Sequence, residues 1–232
     1  MQKKILVGVT TVHNPHWEKQ IEDIKRFGLR EFALFVTDLD AAKRIKCYEM
    51  LEKLPKITIP FVHMRTDMIP AELRYLEEKF GAEYFNIHSL HEYPLKYVYG
   101  ELKHDMLIEN VWVGLYKTEL AKFEGICLDL SHLENDRQMR PAYFDRTERA
   151  IEKFPVIANH VSAVMPKAKD YGKDGFRVDN HELSDPSELD YVLRYPKNYF
   201  GQYIALELIN DIETKIKARN YLENILKGKG II

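Results

Sequence analysis

Nine side chains able to bind metal, His63, His88, Glu109, Asp129, His132, His160, Asp179, His181 and Glu207, fall at or just beyond the ends of successive apolar runs. The runs read ITIPFVH (57–63), YFNIH (84–88), DMLIE (105–109), GICLD (125–129), PVIANH (155–160) and YIALE (203–207). Imidazole and carboxylate are the mixed nitrogen and oxygen donors that zinc, manganese or iron accepts, whereas calcium and magnesium favour oxygen alone. A carboxylate directly after an apolar run is costly to bury unless a cation or a base neutralises it. No Lys or Arg lies inside these runs, so the expected counter-charge is a metal ion. Nine donors are too many for one tetrahedral ion, and two or three ions sharing a bridging carboxylate would use them all. Asp129 and His132 are three apart across a strand end, so one can face inward while the other reaches outward. Asp179 and His181, spaced i and i+2, can point to the same side of an extended segment.

The elements that must carry these residues alternate between short β-rich runs and amphipathic helical stretches. KILVGVTT (4–11) reads as a first strand, followed by a helix over 16–28 whose Trp17, Ile21, Ile24 and Phe27 mark one face. EFALFVT is the second strand, followed by a helix over 39–53. A third strand ends at His63, and 67–80 is helical, with Pro70 tolerated in the first turn and Gly81 as the stop. The pattern then predicts a weak helix over 92–103, one or two turns over 114–123, a helix over 142–153, a long polar segment over 161–186 and a closing helix over 211–226. Eight strand and helix units in 232 residues predict one domain, 1–232, folded as a compact (β/α)₈ barrel. Its C-terminal strand ends form the catalytic face, which explains why every run ends on a donor. An open doubly wound sheet would want a glycine-rich turn after the first strand, where this chain has VTTVHNPH.

With 34 basic against 36 acidic side chains the net charge is −2, so no global field recruits nucleic acid and any such contact needs a local patch. PKAKDYGKDGFR (166–177) supplies one: Lys167, Lys169, Lys173 and Arg177, joined by Arg65 just past His63, are candidate phosphate contacts. Tyr93, Tyr97 and Tyr99 could stack on bases or sugars or pack the barrel top, and His13 and His16 also fall on the catalytic face. Two cysteines, Cys47 and Cys127, the latter inside an apolar strand, fit a reducing cytoplasm. The N-terminal apolar run is too short to span a membrane, and no membrane partner is expected.

FNIHSL, LIENVWVG, CLDLSH, NHVSA, RVDNHE and ALELIND, in this order, resemble the signature segments of endonuclease IV (apurinic/apyrimidinic endonuclease family 2), a branch of the xylose isomerase-like barrel superfamily, over roughly residues 57–225. The resemblance implies a three-zinc site, with Mn2+ or another divalent ion as substitutes. Glu109 would bridge two ions, His63 and His88 would complete the first, Asp129, His160 and Glu207 the second, and His132, Asp179 and His181 would hold the third. It further implies hydrolysis of a phosphoester, with damaged DNA containing abasic sites as the partner. The chain departs from that pattern in reading LSDPSEL after VDNHE where the family has a glycine-rich turn, in having Ala163 where a strand-seven aspartate is usual, and in a much shorter connection between strands five and six. The isomerase branch needs less. One divalent ion on Glu109, Asp129, His160 and Glu207 would polarise a carbonyl of a small sugar, with Glu109 and Glu207 also acting as acid and base, and His63, His88 and His181 binding sugar hydroxyls.

Overall fold

The strands of this protein are short, and their side chains alternate between two different apolar environments. The computed structural model describes residues 3–172 and 175–232. Eight parallel strands close into a barrel: β1 (Lys4–Thr10), β2 (Ala33–Phe35), β3 (Phe61–His63), β4 (Tyr84–Ile87), β5 (Met106–Glu109), β6 (Gly125–Asp129), β7 (Val156–Val161) and β10 (Tyr203–Leu206). Neighbours in sequence are neighbours in the barrel, and β1 closes the ring against β10 with Lys4 beside Tyr203 and Val7 beside Leu206. Two further strands, β8 (Ala163–Asp170) and β9 (Phe176–Asn180), form a separate antiparallel hairpin. The helices are α1 (Trp17–Arg26), α2 (Ala41–Glu52), α3 (Pro70–Phe80), α4 (Lys117–Leu120), α5 (Leu130–Met139), α6 (Pro141–Ile151) and α7 (Ile212–Gly228).

Alternate residues of a strand face opposite sides of the sheet. One set, Val7, Val9, Leu34, Val62, Phe85, Ile108, Ile126, Leu128, Ile204 and Leu206, packs in the large core with helix residues such as Ile21, Ile24, Leu51, Leu73, Leu76 and Leu222. The other set, Leu6, Ala33, Phe35, Phe61, Leu107, Cys127, Ala158, Tyr203 and Ala205, forms a second, smaller core that fills the barrel. Each large apolar side chain in that plug contributes roughly 1.5–3 kcal/mol by its burial. That burial offsets the cost of the polar residues that continue the same inward-facing rows: His63 two after Phe61, Glu109 two after Leu107, Asp129 two after Cys127, His160 two after Ala158 and Glu207 two after Ala205.

The local signals read from sequence account for most boundaries. Pro70 opens α3, and Gly81 ends it in the left-handed conformation (φ 70°), returning its N–H to the Glu77 carbonyl. Three readings are corrected. The weak helix over 92–103 is irregular chain followed by a 3₁₀ turn at Gly100–Asp105. α5 follows β6 with no loop at all; its residues Leu130 to Asp136 are all buried and most of them are polar, so no apolar stripe marks it as an amphipathic helix. The polar segment over 161–186 contains the β8–β9 hairpin, turned where the Gly175 N–H donates to the Gly172 carbonyl, both glycines having positive φ (68° and 71°). Among the described residues, no helix is long and apolar enough to cross a membrane.

Candidate metal centre

Glu109, Asp129, His160 and Glu207 converge at the C-terminal mouth of the barrel, each offering one ligand atom within 4.8 Å of the others. The strand register brings them together: Asp129 lies beside His160 on β6 and β7, and the Glu207 N–H donates to the Val161 carbonyl. The Glu109 and Glu207 carboxylates each lie 3.3 Å from Nδ1 of His160. His160 packs over the barrel plug, its ring 4.9 Å from that of Phe35 and 5.5 Å from that of Phe61. His63, His88 and Glu109 form a second group at the same spacing, so Glu109 belongs to both. Nε2 of His63 is 3.1 Å from Glu109 and 3.1 Å from Nε2 of His88.

Each donor is held from behind. Asn86 on β4 donates to Oε2 of Glu109 at 2.7 Å. Asn110 clamps the Asp129 backbone, accepting its N–H at 2.7 Å and donating to its carbonyl at 3.0 Å. Asp129 itself caps α5, with Oδ1 accepting from the Ser131 hydroxyl at 2.6 Å and from the His132 N–H at 2.8 Å. The loop carrying His88 is tied to α4 by Glu119, which accepts from the Ser89 hydroxyl and the Leu90 N–H. Asn86, Asn110 and Glu119 escaped the sequence reading; for Asn86 and Asn110 the available signal was a polar residue one step from a ligand-bearing strand end.

The electrostatics suit a cation. Burial pushes the Glu109 carboxyl up, but His160 and His63 outweigh it and hold the group well below the usual range. Glu207 follows the same balance, burial against His160, and is held down to about 2. Burial prevails at Asp129, which His132 only partly offsets, and its pKa is raised. Desolvation also pushes His88 down to about 4, keeping its imidazole neutral. Oδ2 of Asp129 is buried without a hydrogen-bond partner among the described residues, and Nδ1 of His160 faces the Glu109 and Glu207 carboxylates. Buried polar atoms without partners are costly. Here that oxygen converges with His160 and two more carboxylates, so the donor set fits a divalent ion bound by Glu109, Asp129, His160 and Glu207, with His63, His88 and Glu109 adjacent. Cys127 lies beneath as a buried thiol pushed up to about 12 by desolvation, consistent with packing rather than ligation.

The remaining donors are arranged differently. His132, in the first turn of α5, has Nδ1 2.8 Å from Oδ2 of Asp179, and the Arg177 guanidinium grips both oxygens of Asp179. Burial alone would raise Asp179, but His132 and Arg177 hold it far below its ordinary range. His181 turns Nδ1 toward the Glu207 carbonyl at 3.0 Å, and its ring centre is 6.3 Å from that of His132. Asp179, which ends none of the six apolar runs, thus differs from the strand-end carboxylates in having a basic partner, because Arg177 stands two residues before it on β9.

A cavity of about 540 Å³ opens above the centre, lined by His63, His88, Glu109, His132, Asp179, His181 and Glu207 together with His13, Arg65, Tyr93, Trp112, Tyr171 and Arg177. Asp129 and His160, both fully buried, lie outside its lining. Arg65 reaches the rim but is engaged by Asp67 (2.9 Å) and the Thr37 carbonyl. Lys167 and Lys169 are exposed along β8 and do not line the cavity, Lys169 standing 5.5 Å over the Tyr171 ring. Lys173 lies outside the described residues. Tyr99 packs, donating its hydroxyl to the Met68 carbonyl, whereas Tyr93 faces the cavity beside His88. His16 stands at the start of α1, away from the cavity lining.

Fold and site together define a (β/α)₈ barrel with a metal-competent centre at its mouth. No protein-family model matches the chain, and no curated protein is similar to it in sequence. Among solved structures, it is similar to a thiamine phosphate pyrophosphorylase from Pyrococcus furiosus (TM-score 0.49, 11% identity, 97% of this chain and 96% of that one). It is also similar to a xylose isomerase domain protein from Planctomyces limnophilus (TM-score 0.46, 12% identity, 98% of each chain).

Proposed function

We propose that this chain is a divalent-metal-dependent enzyme that moves a proton between neighbouring carbons of a small polyhydroxylated substrate, an isomerase or epimerase. The observation that supports it is the four-donor group of Glu109, Asp129, His160 and Glu207, with an oxygen of Asp129 buried without a hydrogen-bond partner among the described residues, placed below a cavity of small-molecule size. A divalent ion held there would polarise a carbonyl and its neighbouring hydroxyl. Glu207, kept ionised beside His160, is suited to accept the proton from one carbon and to return it to its neighbour, while Glu109, 3.3 Å from the same His160 nitrogen, would help hold the ion. Asn86 fixes the orientation of Glu109 through the oxygen that faces His63 and His160. Trp112 and Tyr93 line the cavity above the donors.

Incubation of manganese-loaded protein with a panel of ketoses in deuterium oxide tests this reading. The expected result is solvent deuterium on the carbon next to the carbonyl, from exchange at the Glu207 carboxyl before the proton is returned, and its loss in Glu207→Gln. No exchange into any ketose, with nicking of abasic DNA by the same preparation, would overturn it.

That outcome defines the second reading, a phosphodiesterase of the endonuclease IV type acting with zinc. What favours it is the His63, His88 and Glu109 group, which shares Glu109 with the first and so offers two adjacent cation positions. Lys167 and Lys169 would be its phosphate contacts, reached by a substrate large enough to extend beyond the cavity onto β8.

A further inference from the structure

The third donor set already contains a cation. Nη2 of Arg177 bonds Oδ2 of Asp179 and lies 3.1 Å from Nδ1 of His132, which itself contacts that oxygen at 2.8 Å, so a positive charge already sits against the carboxylate that a third ion would need. Nε of the same guanidinium bonds the other Asp179 oxygen at 2.9 Å. The group is wedged in place by Trp112, whose ring centre is 4.1 Å from the guanidinium carbon, and its side chain is only 13% exposed. β9 aims it there: Arg177 and Asp179 are i and i+2 on one strand and share a face. The contrast with Asp129 is direct: its Oδ2 is buried without a hydrogen-bond partner among the described residues, whereas both oxygens of Asp179 are bonded by Arg177. Nδ1 of His181, the third member, faces the Glu207 carbonyl.

We propose that Arg177 replaces the third metal ion: its guanidinium is a built-in cation that takes both carboxylate oxygens of Asp179, beside Nδ1 of His132, and confines metal binding to the groups that share Glu109. This rests on the reading of the mouth as a metal centre. It does not depend on which reaction that centre carries out. A planar guanidinium suits the place because it matches a carboxylate through two parallel hydrogen bonds and remains charged at every accessible pH. A divalent ion at the same spot would face that fixed positive charge with no unclaimed carboxylate oxygen.

The test is the number of zinc ions per chain, measured by elemental analysis after equilibration with zinc alone and desalting. The wild-type chain is expected to hold no more than two, and Asp179→Asn to leave that number unchanged. Arg177→Met, which removes the charge and keeps much of the bulk, should add one ion. Arg177→Lys should not add one, because the charge stays. Circular dichroism of each variant checks that the barrel is intact, and a crystal structure of the zinc-loaded wild type places the ions directly. Three ions in the wild type with one lost in Asp179→Asn would overturn the proposal, as would zinc density between His132 and Asp179. An unchanged count in folded Arg177→Met would overturn it as well. Zero ions in every variant would instead sink the metal reading itself, and this inference with it.

Discussion

Asp129 and Asp179 are both buried aspartates beside His132 at the mouth of one barrel, yet their situations are opposite. Asp129 spends one oxygen on capping α5 and leaves the other buried without a hydrogen bond, so its carboxyl is pushed up. Asp179 has both oxygens taken, by His132 and Arg177, and is held down. Donor type is the same on the two sides; what differs is whether a guanidinium has arrived first. A cluster of His and Asp residues therefore says where a cation belongs, and its neighbours say whether that cation is a metal ion or an arginine.

The largest effect expected from this comparison is at Glu109, the residue common to both metal-competent groups. Glu109→Gln should abolish turnover and reduce zinc content at two positions; because it also breaks the buried contacts of Glu109 with His63 and His160, metal-free stability should fall as well, with circular dichroism checking that the barrel is intact. Full metal content with undiminished turnover would show that Glu109 is not the shared ligand.

A smaller effect separates the two aspartates directly. In metal-free protein, Asp179→Asn breaks a largely buried pair and should lower stability by about 1–3 kcal/mol, less than for a fully buried pair because Arg177 retains some exposure. Asp129→Asn should be neutral or stabilising under the same conditions. It removes a carboxyl that burial disfavours, and asparagine still caps the helix. With saturating zinc the order reverses, since Asp129→Asn removes a ligand. Urea unfolding of both variants, with and without zinc, measures this, and equal metal-free losses would erase the distinction.

The smallest effect comes from outside the mouth. Lys215 on α7 is fully buried, donating to the Gly8 carbonyl at 2.8 Å and to Gln20 at 2.7 Å, and desolvation lowers it to about 7. The native state then binds fewer protons than the unfolded chain between about pH 7 and the ordinary lysine value near 10.4, so stability rises with pH across that window. The slope should be on the order of 1 kcal/mol per pH unit. Lys215→Met should flatten it, as read from urea midpoints at pH 7, 8 and 9. A slope unaltered by that substitution would assign the pH dependence to groups at the mouth.

The barrel and the floor of the site were legible because period-two alternation and strand termination act within a few residues: Leu107 and Glu109, or Ala158 and His160, declare both the plug and the ligand that tops it. α5 was not legible because most of its buried residues, Ser131, His132, Glu134, Asn135 and Asp136, are polar, which removes the apolar stripe that reveals a helix. The role of Arg177 was half legible. The spacing rule applied to Asp179 and His181 applies equally to Arg177 and Asp179, but the Trp112 ring that holds the guanidinium comes from the segment after β5, and proximity across 65 residues leaves no trace in spacing. Lys167 and Lys169 show the converse, since neighbours of Arg177 in sequence point along an exposed arm and not into the cavity.

The pairing of β1 with β10 has a bearing on how the molecule comes into being. The ring closes when Lys4 to Val7 meet Tyr203 to Leu206, a contact between the two extremes of the barrel sequence, and such non-local pairings form late. Glu207 is the residue immediately after that seam. During synthesis, β1 must wait with an open edge until nearly the whole chain has emerged, and the four-donor group stays one carboxylate short for the same interval. An ion bound by all four donors would therefore favour the closed ring, because only there does Glu207 join the other three.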